Sequence, residues 1–248
     1  MNTKILWLTI IAVVVSFVGG FLLANGLNRN ELNGLRSETE RLKNTQTASA
    51  QNNSDFSLSE EEIRRKIAEA DGNPDNIAFQ KNLGMALYRY AAMKQDTELL
   101  AEVARLLNRS HEKNPQDSEV TITLGNTYFD IGYFKKDNEP LQKSREFYQK
   151  ALEQKPDNAD VRTDLGLTYF LVNPPENERA IAEFQKSLQA NPAHEKTLQV
   201  MTQALLSQDK TADAEKFLAR LREVNAENPT LSELESKIAQ SKNNSQKQ

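Results

Sequence analysis

The strongest constraint on this sequence is a motif that recurs at nearly constant spacing. The stretch LGNTYF begins at Leu124, and LGLTYF begins at Leu165, 41 residues further along the chain. Prolines preceded by Asn or Lys recur at similar steps. They are Pro74, Pro115, Pro156, Pro192 and Pro229. A period of about 20 to 50 residues is typical of stacked structural units rather than of one shared core. The chain is therefore expected to hold an array of repeats.

Each repeat reads as a pair of helices. A Leu-Gly pair and a residue three positions after the glycine share one helical face, and a second amphipathic stretch follows before the next proline, which ends it. Glycine within a helix costs about 1 kcal/mol relative to alanine, so its recurrence at one register indicates close approach of the partner helix. The predicted packing positions are Leu83, Gly84, Leu124, Gly125, Tyr128, Leu165, Gly166, Tyr169, Ala180 and Phe184. Predicted N-caps of the first helices are Asp75, Asp117 and Asp157.

These residues resemble the tetratricopeptide repeat family, whose unit of about 34 residues carries Leu-Gly, Tyr, Ala, Phe and Pro at fixed offsets. The third copy fits best, and the first two copies, at 41 residues, are longer than that unit. The surplus could be about two helical turns or a longer loop. In the second copy it is expected between Tyr133 and Glu139, with Pro140 opening the second helix. The resemblance implies an all-α fold, a right-handed solenoid of about four helix pairs with flanking helices.

The predicted domain boundaries follow the prolines. The repeat domain spans 58–241, and residues 242–248 form a disordered tail. Within the domain, the expected units are repeats at 75–115, 116–156, 157–192 and 193–229 and a capping helix at 230–241.

A membrane anchor is predicted at 5–27, after a short tail at 1–4. Ile5 to Leu23 form 19 residues without a charge, enough to cross a hydrocarbon core of about 30 Å. The alternative is a signal peptide cleaved near Ala24, but the apolar run exceeds the usual length of about 7 to 15 residues. We therefore expect an uncleaved single-pass helix. Short N-terminal tails favour an extracytoplasmic array, whereas the basic residues after the segment favour the opposite orientation.

A stalk and a linker are predicted between the anchor and the repeats. Residues 28–44 carry apolar positions at coiled-coil spacing, which could dimerise the chain or simply belong to a solvated helix. Residues 45–57 are small and polar, as expected of a flexible tether.

Composition argues against several functions. The chain has no cysteine, a net charge of -4 and two distant histidines, His111 and His194. No cofactor, metal site or catalytic constellation is therefore expected, and nucleic acid is not an expected partner because the basic surplus needed to bind phosphates is missing. We expect a binding protein rather than an enzyme.

By the family resemblance, the first helix of each pair lines a concave surface that binds a peptide or helix of a partner. The expected contact residues are Lys81, Met85, Tyr88, Ile122, Asn126, Phe129, Thr163, Leu167, Phe170, Gln199 and Gln203. Phe129 and Phe170 follow the structural tyrosines and are expected to offer exposed aromatic rings, unless they pack against a neighbouring first helix.

One subclass of the family, which clamps a C-terminal carboxylate with basic residues, is disfavoured. In its third repeat this chain has Asp160 and Asp164 where that subclass has Lys and Arg. The whole layout resembles membrane-anchored bacterial repeat proteins that act as assembly factors, including those of cytochrome c maturation. A structural subunit of an envelope or secretion complex is the alternative.

Overall fold

The computed structural model of the chain describes residues 59–245, which form ten α-helices and no β-strand. The helices are α1 (Glu60–Gly72), α2 (Ile77–Lys94), α3 (Thr97–Lys113), α4 (Ser118–Lys135), α5 (Asn138–Gln154), α6 (Ala159–Leu171), α7 (Asn177–Ala190), α8 (Glu195–Leu206), α9 (Thr211–Val224) and α10 (Leu231–Ser245).

Successive helices pack in pairs: α2 with α3, α4 with α5, α6 with α7 and α8 with α9. Each second helix also packs against the first helix of the next pair, and α10 takes that place after α9. The first helices α2, α4, α6 and α8 contact one another in sequence and therefore line the inner, shorter side of the stack. The predicted all-α solenoid of four helix pairs with flanking helices is confirmed.

The glycines of the motif lie where the two helices of a pair meet. A Cβ atom added at Gly84 would lie 2.6 Å from Leu107 Cδ2, and one at Gly125 would lie 2.6 Å from Tyr148 Cδ1. At Gly166 the added atom would overlap the ring of Phe184. Non-bonded carbon atoms pack best at about 3.5 to 4.0 Å, so the second helix occupies the space that a side chain would need.

The surplus residues of the first two copies lengthen both helices of the pair. Helices α2 and α4 have 18 residues each, against 13 in α6 and 12 in α8. Helices α3 and α5 have 17 residues each, against 14 in both α7 and α9. The surplus in the second copy is therefore not a loop, and α5 begins at Asn138, two residues before Pro140.

Two of the predicted N-caps differ from the structure by one residue. Asp117 caps α4 and accepts a hydrogen bond from Val120 N, as predicted. The caps of α2 and α6 are Asn76 and Asn158 rather than Asp75 and Asp157. The first helical hydrogen bonds of these two helices reach the carbonyl groups of Asn76 and Asn158, which leaves each aspartate outside the helix.

The last helix is longer than predicted. Helix α10 continues to Ser245, beyond the expected end at residue 241. Its final turns are bound to α9, because Ser241 Oγ lies 2.6 Å from Thr211 Oγ1 and Lys242 pairs with Glu215. The predicted anchor, stalk and linker lie outside the described residues. Between residues 59 and 245, none of the helices combines the length and apolarity that a membrane crossing requires.

We predict that Gly166→Ala lowers the free energy of unfolding by about 1–3 kcal/mol, the usual cost of overpacking a core. The added methyl group would meet the Phe184 ring and would lie 3.2 Å from the carbonyl oxygen of Ala180, which outweighs a propensity gain of about 1 kcal/mol. Gly72→Ala is the matched control, since no atom lies within 4 Å of its added Cβ. Urea denaturation followed by circular dichroism measures both. Equal midpoints for the two variants would contradict close packing at Gly166.

Candidate peptide-binding surface

The concave surface is built from the inner faces of α2, α4, α6 and α8. Eight of the predicted contact residues are half-buried there and keep some accessible area: Lys81, Met85, Tyr88, Ile122, Asn126, Phe170, Gln199 and Gln203. They combine apolar side chains with amide groups, a composition suited to binding both the side chains and the backbone of a peptide.

The structure differs from the sequence analysis at three predicted contact positions. Phe129 is 2% exposed, Thr163 is fully buried and Leu167 is 4% exposed, so none offers a partner much surface. The Phe129 ring stacks on Tyr133, with 6.3 Å between the ring centroids. Phe129 therefore packs within the protein, and an exposed aromatic pair with Phe170 is not present.

Lys81 joins the first repeat to the second. Its Nζ atom lies 2.8 Å from a carboxylate oxygen of Asp117 and 2.8 Å from one of Glu119. Hydrogen bonds to Asp117 and Glu119 raise the pKa of Lys81, which stays charged. A partner that contacted Lys81 would meet an already paired cation.

Five polar side chains from α2, α4, α5, α6 and α8 meet at the middle of the surface. We call Tyr88, Asp130, Tyr148, Asp164 and Lys196 the central polar cluster. Tyr88 Oη donates to Asp130 Oδ2 at 3.0 Å, and Lys196 Nζ donates to Asp164 Oδ1. Asp130 is 5% exposed and Asp164 is 8% exposed. The cluster thus contains two nearly buried carboxyl groups and one ammonium group.

Burial dominates the electrostatics of the cluster. It raises the pKa of Asp130 to about 7; the hydrogen bond from Tyr88 acts in the opposite direction, and the nearby charge of Asp164 raises the pKa further. Burial also raises the pKa of Asp164, although Lys196 lowers it. Both effects follow from the cost of holding a charged carboxylate away from water.

Sequence reasoning misses most of this cluster. By sequence, Asp164 is only an aspartate of the wrong sign for a carboxylate clamp, and Asp130 does not stand out. The available signal is periodicity, because Asp130 follows Asn126 by four residues and shares its helical face. Tyr148 comes from α5 and reaches the surface by donating to Asn126 Oδ1 at 2.8 Å, which no repeat pattern predicts.

A row of polar groups between α6 and α8 resembles a catalytic relay only in outline. Asp160 Oδ1 lies 2.9 Å from His194 Nε2, and His194 Nδ1 lies 2.6 Å from Thr197 Oγ1. Thr197 is fully buried, and its hydroxyl also lies 2.8 Å from Ser187 Oγ. No substrate can reach that hydroxyl, so the row connects repeats rather than performing chemistry. Among residues 59–245 no group of His, Asp and Glu side chains could hold a metal ion.

The geometry defines a helical-repeat protein with a polar concave surface. Residues 176–238 match the tetratricopeptide repeat family. The predicted resemblance to that family is therefore confirmed, while the membrane-anchored bacterial type remains a prediction.

Solved structures share the fold. Two crystal structures of MamA have 21% sequence identity and a TM-score of 0.53, and each match covers 66% of this chain and 87% or 81% of theirs. A thermophilic tetratricopeptide repeat protein from Thermus thermophilus has 16% identity and a TM-score of 0.51 over 72% of this chain and 96% of its own. No curated protein matches the chain. At such identities the similarity concerns the fold alone.

We predict that Asp130→Asn stabilises the protein at pH 8 and has little effect at pH 5. The folded-state pKa of about 7 lies above the usual value near 4, so the folded protein binds an extra proton between these limits. Stability from Asp130 is therefore lost as pH rises towards 7, by up to about 4 kcal/mol. Asparagine avoids this loss and can still accept from Tyr88.

Urea denaturation at both pH values measures this difference. Glu153→Gln is the control, because it removes an exposed carboxylate of α5. Parallel pH dependence in the wild type and Asp130→Asn would contradict the burial of an ionisable Asp130.

Proposed function

We propose that this protein is a membrane-anchored interaction scaffold that binds a peptide or helix of a partner protein on the concave surface of its repeats. The observation that carries the proposal is the central polar cluster. Burying charged groups usually costs stability, and apolar residues of similar size would often serve stacking at least as well. The glycine contacts and the apolar core already hold the helix pairs together. Polar groups retained at such a cost are expected where function needs them.

Amide side chains around the cluster support peptide binding. Asn126, Gln199 and Gln203 are half-buried on the inner faces of α4 and α8, where each amide could bond a peptide backbone. Met85 and Ile122 add apolar surface beside them. A peptide lying along the first helices would meet both kinds of group.

The proposed anchor is the uncharged segment from Ile5 to Leu23, with the array on the extracytoplasmic side. A tether of about 35 residues between the anchor and α1 would keep the array near the membrane and raise its effective concentration for membrane-bound partners. We place the chain among assembly factors, which release their client after maturation. Retention of the partner in a stable complex would instead indicate a structural subunit of an envelope complex.

Site-specific photocrosslinking in the full-length chain tests the concave surface. A photoreactive residue at Gln203 is expected to yield a discrete set of partner adducts in cells. The matched control is Gln185, an exposed residue of the second helix α7 on the other side of the pair. Identical adducts from both positions would contradict a concave binding surface.

Membrane anchoring has its own test. The full chain is expected to remain with membranes after alkaline extraction, and deletion of residues 1–27 is expected to release it. Protease added to intact spheroplasts should digest the array if it faces outward. A full chain recovered in the soluble fraction would contradict the anchor without affecting the concave surface.

A further inference from the structure

We propose that the partner inserts a basic side chain, lysine or arginine, into the central polar cluster, where it pairs with Asp130. This inference rests on the proposed function, because it specifies the chemistry of the ligand that the concave surface binds.

The charge balance of the cluster is the first argument. Asp130 on α4 and Asp164 on α6 lie on adjacent first helices, and the charge of Asp164 reaches Asp130. The one basic group of the cluster, Lys196, pairs with Asp164. Asp130 has only the neutral hydroxyl of Tyr88 as a hydrogen-bond partner among the described residues. The middle of the surface therefore lacks one positive charge.

The unpaired oxygen of Asp130 is the second argument. Oδ2 accepts from Tyr88, but no described residue donates a hydrogen bond to Oδ1. An ionised carboxylate can accept about four hydrogen bonds, and a side chain that is 5% exposed obtains few of them from water. A donor from outside the repeats would complete the coordination of this carboxylate.

The surroundings suit a long basic side chain. Tyr88 and Met85 are half-buried on α2, and Asn126 is half-buried on α4 beside Asp130. The methylene groups of lysine or arginine can pack on such apolar surface while the charged end reaches an acid. The face of the Tyr88 ring offers additional attraction to a cation within about 6 Å. An acidic ligand would instead meet two carboxyl groups.

Binding of this kind would be coupled to proton release. Near neutral pH Asp130 is partly protonated, and an incoming cation stabilises the ionised form. Formation of the pair at pH 7 therefore releases up to about half a proton. A merely apolar contact would release none.

The test uses the full chain in detergent and synthetic peptide pools of about 12 residues, long enough to span the inner faces of neighbouring repeats. Each pool has a fixed central residue: lysine, arginine, glutamine or glutamate. Pools with central lysine or arginine are expected to bind at least about tenfold more tightly than the glutamine pool, a difference of about 1.4 kcal/mol. Asp130→Asn should abolish this preference. Calorimetry at pH 7 in two buffers of different ionisation enthalpy should detect proton release with the wild type and none with the variant.

Asp160→Asn is the matched control, because it removes a more exposed carboxylate from the neighbouring first helix α6 and should keep the preference. Circular dichroism establishes that both variants are folded. Equal binding of all pools, or a lysine preference that survives in Asp130→Asn, would overturn this inference and leave the scaffold function intact. A failure of every pool to bind the wild type would overturn both.

Discussion

The close contact between the two helices of each pair is the constraint on which the rest of the structure depends. The first helix has no side chain at Gly84, Gly125 or Gly166, and the second helix fills that space with Leu107, Tyr148 or Phe184. Because the contact recurs in three pairs, the pairs have similar geometry and stack in a regular order. The regular order brings the first helices side by side and so creates one continuous inner surface.

Polar contacts between neighbouring repeats add direction to this stack. Arg145 on α5 and Arg179 on α7 lie over the ring of Tyr169, at 4.2 Å and 4.3 Å from its centroid. Glu176 pairs with both guanidinium groups, at 3.0 Å and 2.5 Å. These contacts connect repeats outside the central polar cluster. The cluster is therefore not needed as the only polar link, which agrees with a role in binding.

The repeat pattern predicted the helix pairs because the spacing of leucine, glycine and aromatic residues directly reports which residues meet at helical periodicity. It predicted helix ends less well. Asn76 and Asn158 act as caps instead of the neighbouring aspartates, since the position of the first helical hydrogen bond depends on how the turn after each proline is packed. The surplus residues likewise could extend helices or loops, and only packing along the longer pairs selects helix.

The sequence by itself determined the architecture: the period, the paired helices and the glycine contacts are local or repeated features with a direct physical meaning. Only the tertiary structure decided which inner-surface residues a partner can reach. Phe129 and Asp130 are adjacent in sequence, yet the first packs against Tyr133 and the second joins side chains from four other helices. Such meetings depend on the distance between repeats far apart in the chain, which helical periodicity does not encode.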